Sequence, residues 1–195
     1  MKNLLISFFC FLMLGFTTNN TDYKIASYII QGNSKLGIKG TTNISQFSCD
    51  LAFSDINSEV KTFYKKEGDK IKFIDSRLEL SNSCFDCGSK MINNDFLDML
   101  DTKNHPYITL ELKEIIINPK KDNEIIALTN INIAGTSRFY SIWLDVDNSK
   151  LLNATGCLNL KLSDFKLKPP KKVLGLVIVE DEIEIALDLN ITALK

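Results

Sequence analysis

Along most of this chain large aliphatic side chains recur at every second residue, a period that confines the polypeptide to strands with one buried face. In Ile183-Glu184-Ile185-Ala186-Leu187-Asp188-Leu189-Asn190-Ile191 every odd position is a large aliphatic, and the even ones are Glu, Ala, Asp and Asn. A helix, turning about 100° per residue, would scatter these side chains over more than one face. The same alternation runs through Ile108, Leu110 and Leu112, through Tyr140, Ile142, Leu144 and Val146, and through Leu158, Leu160 and Leu162. Further strands are expected at residues 23–31, 34–40, 44–56, 71–80 and 125–134.

The breaks carry turn formers: Gly32-Asn33, Glu67-Gly68-Asp69, the stretch from Asn118 to Asn123, and Asp147-Asn148. Connections this short join antiparallel neighbours, because a parallel crossover needs about a dozen residues or more. One segment departs from period two. Across residues 89–100, Ile92, Phe96, Met99 and Leu100 fall at helical spacing, with Ser89 placed as N-cap. The expected fold is therefore all-β and antiparallel with one short amphipathic helix. Eight or more locally joined strands fit either a sandwich or an up-and-down barrel.

The chain opens with Met1-Lys2-Asn3 and an apolar run from Leu4 to Phe16, the build of a secretory signal peptide. The run is short of the roughly 20 apolar residues that a membrane span needs. Residues 1–20 are expected to be a cleaved signal that contains Cys10, and residues 21–195 a single domain, periplasmic or secreted. A net charge of −1 with both signs interspersed leaves no basic face for a nucleic acid.

Several stretches, in order, resemble the YceI family of lipocalin-like barrels. They are residues 34–43 with Phe47, the helical segment 91–100 followed by His105-Pro106-Tyr107-Ile108, the stretch Ile131-Asn132-Ile133-Ala134-Gly135-Thr136-Ser137-Arg138, and residues 162–167 with 180–185, matched to the closing pair of strands. The resemblance spans nearly all of the domain. It implies an elongated antiparallel barrel of about eight strands that carries a polyisoprenoid or other amphiphilic chain, without catalysis and without a cofactor. The cysteines Cys49, Cys84, Cys87 and Cys157 depart from the family pattern, as does Lys168-Pro169-Pro170-Lys171-Lys172.

Alternation nominates the side chains that would line such a barrel: Phe73, Ile108, Leu110, Ile131, Ile133, Leu158, Leu160, Ile185 and Leu187. A small barrel either fills its interior with its own side chains or keeps a slot for one guest. Buried hydrocarbon is worth about 0.8 kcal/mol per CH₂, so a five-carbon prenyl unit gains about 3–4 kcal/mol before association costs. Affinity for a polyisoprenoid or fatty-acyl chain thus needs almost no polar contact.

Four cysteines after the leader, in an oxidising compartment, imply disulfides. If the strand holding Cys49 pairs with the one ending near Leu80, Cys49 can reach Cys84 or Cys87. Cys49–Cys87 is the favoured bridge, which leaves Cys84 for Cys157. Cys84-Phe85-Asp86-Cys87 also has the C-x-x-C spacing of thiol–disulfide enzymes, though without the βαβ setting of that motif. A zinc site needs four converging ligands, and the chain offers one histidine, His105, which is read as a polar residue at a strand entrance. Asp95, Asp98, Asp164 and Asp181 read as caps and solvated carboxylates, not as an acid–base pair. No nucleophile elbow, phosphate-binding loop or dinucleotide fingerprint occurs. Two rivals to a carrier stand: an interaction module with a packed core, and an envelope thiol–disulfide protein using Cys84 and Cys87.

Overall fold

The computed structural model describes residues 23–55, 59–121, 123–147, 152–169 and 177–194. The signal expected at residues 1–20 lies outside them, as do Asn148 and residues 170–172. In chain order the elements are β1 (Lys24–Ile30), β2 (Lys35–Thr42), β3 (Gln46–Ala52), β4 (Glu59–Glu67), β5 (Lys70–Ile74), β6 (Arg77–Ser81), β7 (Phe85–Asp86), α1 (Lys90–Met99), β8 (Tyr107–Ile117), β9 (Glu124–Ile133), β10 (Thr136–Asp147), β11 (Leu152–Lys161) and β12 (Val179–Leu194).

Hydrogen-bonded neighbours run β1-β4-β5-β8-β9-β10-β11-β12, and β12 returns to β1, so these eight strands form a ring. Every pairing is antiparallel. The long strand β12 takes β11 along one edge, while its other edge takes β2 (Ile185↔Ile38) and then β1 (Ile191↔Ile30). Strand β8 does the same, with β6 (Ile108↔Leu80) followed by β5 (Ile115↔Ile71). The pairs β1/β2 and β5/β6 are therefore two long paths, each jogged halfway.

The expected strand 71–80 is broken at Asp75, whose φ of 59° is left-handed, and the expected strand 44–56 ends at Ala52 in a 3-10 turn over Phe53–Asp55. Strand β4 was not anticipated. Its inward Val60, Thr62 and Tyr64 do alternate, but a central Thr and the lysines between them hide the period. The stretch 162–167, matched to a closing strand, opens in a 3-10 turn over Leu162–Phe165.

Two glycines are required by close approach. The ring of Phe47 lies over its cross-strand partner Gly40, where a Cβ would fall 2.3 Å from it. Gly135, with Ala134 before it, has positive φ in the two-residue turn between β9 and β10. A Cβ on Gly135 would meet the His105 ring at 2.7 Å.

The packed core fills the end of the ring where α1 lies. Ser89 caps the helix by accepting from the Ile92 amide, as expected, and Phe96 and Leu100 are buried with Ile92 and Met99 packed behind them. A ten-residue helix is marginal alone, so this packing is what holds it. The Phe96 ring stands 5.2 Å from that of Phe85 on β7.

Asn82, with 0% exposure, ties the two ends of this segment together. Its Nδ2 donates to Thr102 Oγ1 (3.0 Å) and to the His105 carbonyl (2.9 Å). Asn82→Ala leaves those acceptors buried without their donor, and we predict a loss of about 2–3 kcal/mol. Urea denaturation should show a lower midpoint at unchanged slope.

Candidate functional site

The register sorts side chains by face. On β9 to β12 the inward set is Ala127, Thr129, Ile131 and Ile133; Ile142 and Leu144; Ala154, Leu158 and Leu160; and the odd residues from Ile183 to Ile191. On β8 a bulge between Leu112 and Glu114 resets the phase, so that Ile108, Leu110, Leu112, Ile115 and Ile117 all point inward. This explains the run Glu114-Ile115-Ile116-Ile117, where simple alternation fails.

Beneath α1 these walls enclose a cavity of about 70 Å³ lined by apolar side chains alone. Eight of the nine nominated residues meet there: Ile108, Leu110, Ile131, Ile133, Leu158, Leu160, Ile185 and Leu187. Phe73 is not among them; it points inward from β5 in the other half of the ring, level with Tyr64. The cavity also touches Phe85, Phe96, Met99, Leu100 and Leu167, contributed by β7, α1 and the segment after β11. Period two could not assign these, because their positions depend on how the end of the ring is covered.

The two ends of the ring differ. At the helix end a second cover joins α1: Phe165 of the 3-10 turn is 1% exposed and stacks on Tyr140 at 6.1 Å, and the Tyr140 phenol donates to Asp164 Oδ2 at 3.0 Å. Burial, and then the Asp164 carboxylate, pushes the Tyr140 phenol up to about 12. Asp181 secures the same turn by accepting from the Ser163 amide and hydroxyl at 2.8 and 2.6 Å, which holds its carboxyl below the usual range. Asp164 and Asp181 are thus structural acceptors.

At the opposite end no helix lies over the described residues. Phe73, Ile115, Ile117, Ile125 and Ile191 face inward there yet stay half-buried and outside the packed cluster. Inward residues in a closed wall can keep exposure only toward the lumen, so solvent reaches the interior from this end. Tyr28 and Tyr64 bring two phenols to it, and burial, followed by the proximity of Tyr64, raises the Tyr28 phenol.

Cys49 and Cys87 are bonded, as expected, but not by the route anticipated. Strand β3 pairs with β7 (Leu51↔Phe85, Asp50↔Asp86), not with β6, which brings Cys87 opposite Cys49. The supposed Cys84–Cys157 bridge does not form: Cys84 packs against the interior cluster, whereas Cys157 is exposed on the outside of β11 opposite Trp143. Nor is C-x-x-C a dithiol pair, because Cys87 is spent on Cys49 and Cys84 lies in a 3-10 turn ahead of β7. The bridge fixes β7 to the wall, and Asn93 of α1 accepts from the Cys87 amide at 2.7 Å, so it also anchors the helix.

No protein-family model matches the chain, and no curated protein matches it either. Solved structures do share its fold. A polyisoprenoid binding domain from Saccharophagus degradans, implicated in plant cell wall breakdown, superposes with a TM-score of 0.62 at 10% identity, covering 88% of this chain and 100% of that one. BcnA of Burkholderia cenocepacia gives 0.60 at 20% identity over 82% and 96%. A YCEI protein of Campylobacter jejuni gives 0.50 at 15% identity over 69% and 80%.

Iodoacetamide applied to the unfolded, unreduced protein should label Cys84 and Cys157 and spare Cys49 and Cys87 until a reductant is added. Peptide mapping by mass spectrometry reads this directly. Reduction should also speed amide exchange in α1, since its anchor through β7 is released.

Proposed function

Starting from a fold shared with YceI proteins, we propose that this chain is a non-enzymatic carrier that holds a polyisoprenoid or other amphiphilic lipid chain inside its barrel. The observation that carries the reading is the wholly apolar cavity beneath α1, continuous in register with an inward apolar wall that solvent reaches from the far end. The polyisoprenoid binding by a neighbour of the same fold supports it.

The cavity, at about 70 Å³, is about half the roughly 150 Å³ that admits benzene in an engineered protein core. A chain therefore occupies the half-open region first and reaches under α1 only as Phe96 and Met99 give way. The same small volume favours the competing reading, a scaffold with a packed interior that binds partners by its outer face. We further propose a periplasmic or secreted location with residues 1–20 as the signal, which the Cys49–Cys87 bridge and the bacterial origin of the structural neighbours support.

Native mass spectrometry and lipid extraction of protein from its own host should recover a chain-like molecule. Leu110→Trp and Ile185→Trp, at two half-buried lumen positions, should each weaken displacement of a fluorescent fatty-acid probe by about tenfold, which is about 1.4 kcal/mol. Chain-free protein together with unchanged probe affinity in both variants would leave the scaffold reading in its place.

A further inference from the structure

The wall formed by β1, β4 and β5 carries six lysines in the described residues of those strands near the open end, and they divide by face. Lys61, Lys65, Lys70 and Lys72 point outward, and each is paired: Lys61 with Glu59, Lys65 and Lys72 with Glu67 at 2.8 and 2.7 Å, and Lys70 with Glu114 at 3.0 Å. Lys24 and Lys66 occupy inward register positions instead. Lys24 lies directly across from Tyr64, and Lys66 lies two residues further along β4, opposite Ile71. Neither makes an ion pair or a side-chain hydrogen bond with a described residue.

Among the described residues, Asp69, opposite Ile117 and in phase with Ile71, is the one carboxylate at an inward position of this mouth, a single negative charge against two lysines, and it makes no ion pair with either. The inward positions nearest that end on the other strands are Ile117, Ile125, Val146, Leu152 and Ala193. Glu67, the strand carboxylate adjoining Lys66, is held on the outer face by two lysines, which bring its carboxyl down to about 2. At the helix end the lumen is stopped by Phe96, Leu100 and Phe165, with no charge facing in among the described residues. The lumen is thus polarised along its axis, closed and apolar at one end, open and cationic at the other.

We propose that Lys24 and Lys66 form the headgroup site of this lumen, selecting amphiphiles that end in a phosphate or carboxylate and fixing them tail-first, with the head at the open mouth beside Tyr64. The inference rests on the carrier reading and deepens it. Two ammonium groups on adjacent strands suit a doubly charged or delocalised anion, and the phenols of Tyr64 and Tyr28 can donate to its oxygens. A neutral prenyl alcohol would gain the same apolar burial without the ionic contacts. Exposed charge pairs are individually weak and screened by salt, so the selectivity is moderate and falls as ionic strength rises.

The test is calorimetric titration of the folded protein at low salt with farnesyl phosphate, farnesol and inorganic phosphate. The expected result is binding of farnesyl phosphate about tenfold tighter than farnesol, with no measurable binding of inorganic phosphate. In Lys24→Ala/Lys66→Ala the difference between the two prenyl probes should shrink to about twofold; both positions are exposed, so folding is retained, and circular dichroism checks it. Equal affinity for both probes in the unaltered protein, or an undiminished preference in the double variant, overturns the headgroup site and leaves the carrier intact. Tight binding of inorganic phosphate alone overturns it in favour of a free-anion site, and failure of every probe to bind removes the carrier reading along with it.

Discussion

The pairing of β12 with two different partners along one edge is the constraint on which the remaining structure depends. Ile185↔Ile38 joins it to β2 and Ile191↔Ile30 joins it to β1. Without those contacts the sheet is an open ribbon with two exposed edges, and its inward aliphatics face water. Once the seam forms, the odd residues of β12 and the even residues of β11 are forced to converge on one axis. Closure is therefore what turns a period in the chain into an interior. It also satisfies the strand edges that would otherwise invite pairing with another chain.

How much of this is legible in the chain depends on whether a feature is local or a matter of register. The wall strands with clean alternation, β9 to β12 and the first half of β8, could be read directly, and so could the helix with its Ser89 cap. Eight of nine nominated lumen residues come together for that reason. Phe73 also faces inward but in the other half of the ring, because position along the axis is set by the jog at Asp75, a residue that alone does not announce a left-handed turn. The bulge at Leu112/Glu114 is equally silent, since a run of isoleucines fits either phase. Cys49–Cys87 was reached through a pairing of β3 that does not occur. The true partner, β7, is two residues long, below the length at which any period can be seen.

The disulfide and Asn82 do complementary work on the segment that covers the helix end. Between β6 and β8 the chain spends its residues on β7, α1 and a turn, none of which belongs to the ring. The bridge holds the near end of that segment to β3, while the Asn82 side chain holds its far end through Thr102 and His105. The His105 ring in turn fills the space over Gly135. The cover is therefore clamped at both margins and retained in the middle by the apolar face of α1 and by Asn93, which bonds the Cys87 amide and Asp86.

That arrangement sets the energetic terms for any guest. Exposing Phe96 and Leu100 costs about 1.5–3 kcal/mol for each side chain. Each prenyl unit taken from water returns about 3–4 kcal/mol, against an association cost of at least about 4 kcal/mol. One unit cannot offset both terms, whereas a chain of several units can. A small apolar molecule therefore gains too little to displace the cover, and a long chain can lie in the half-open region while its end works beneath α1. A small cavity is on this account compatible with a carrier, because the space belongs to a cover that only a long chain has the free energy to move.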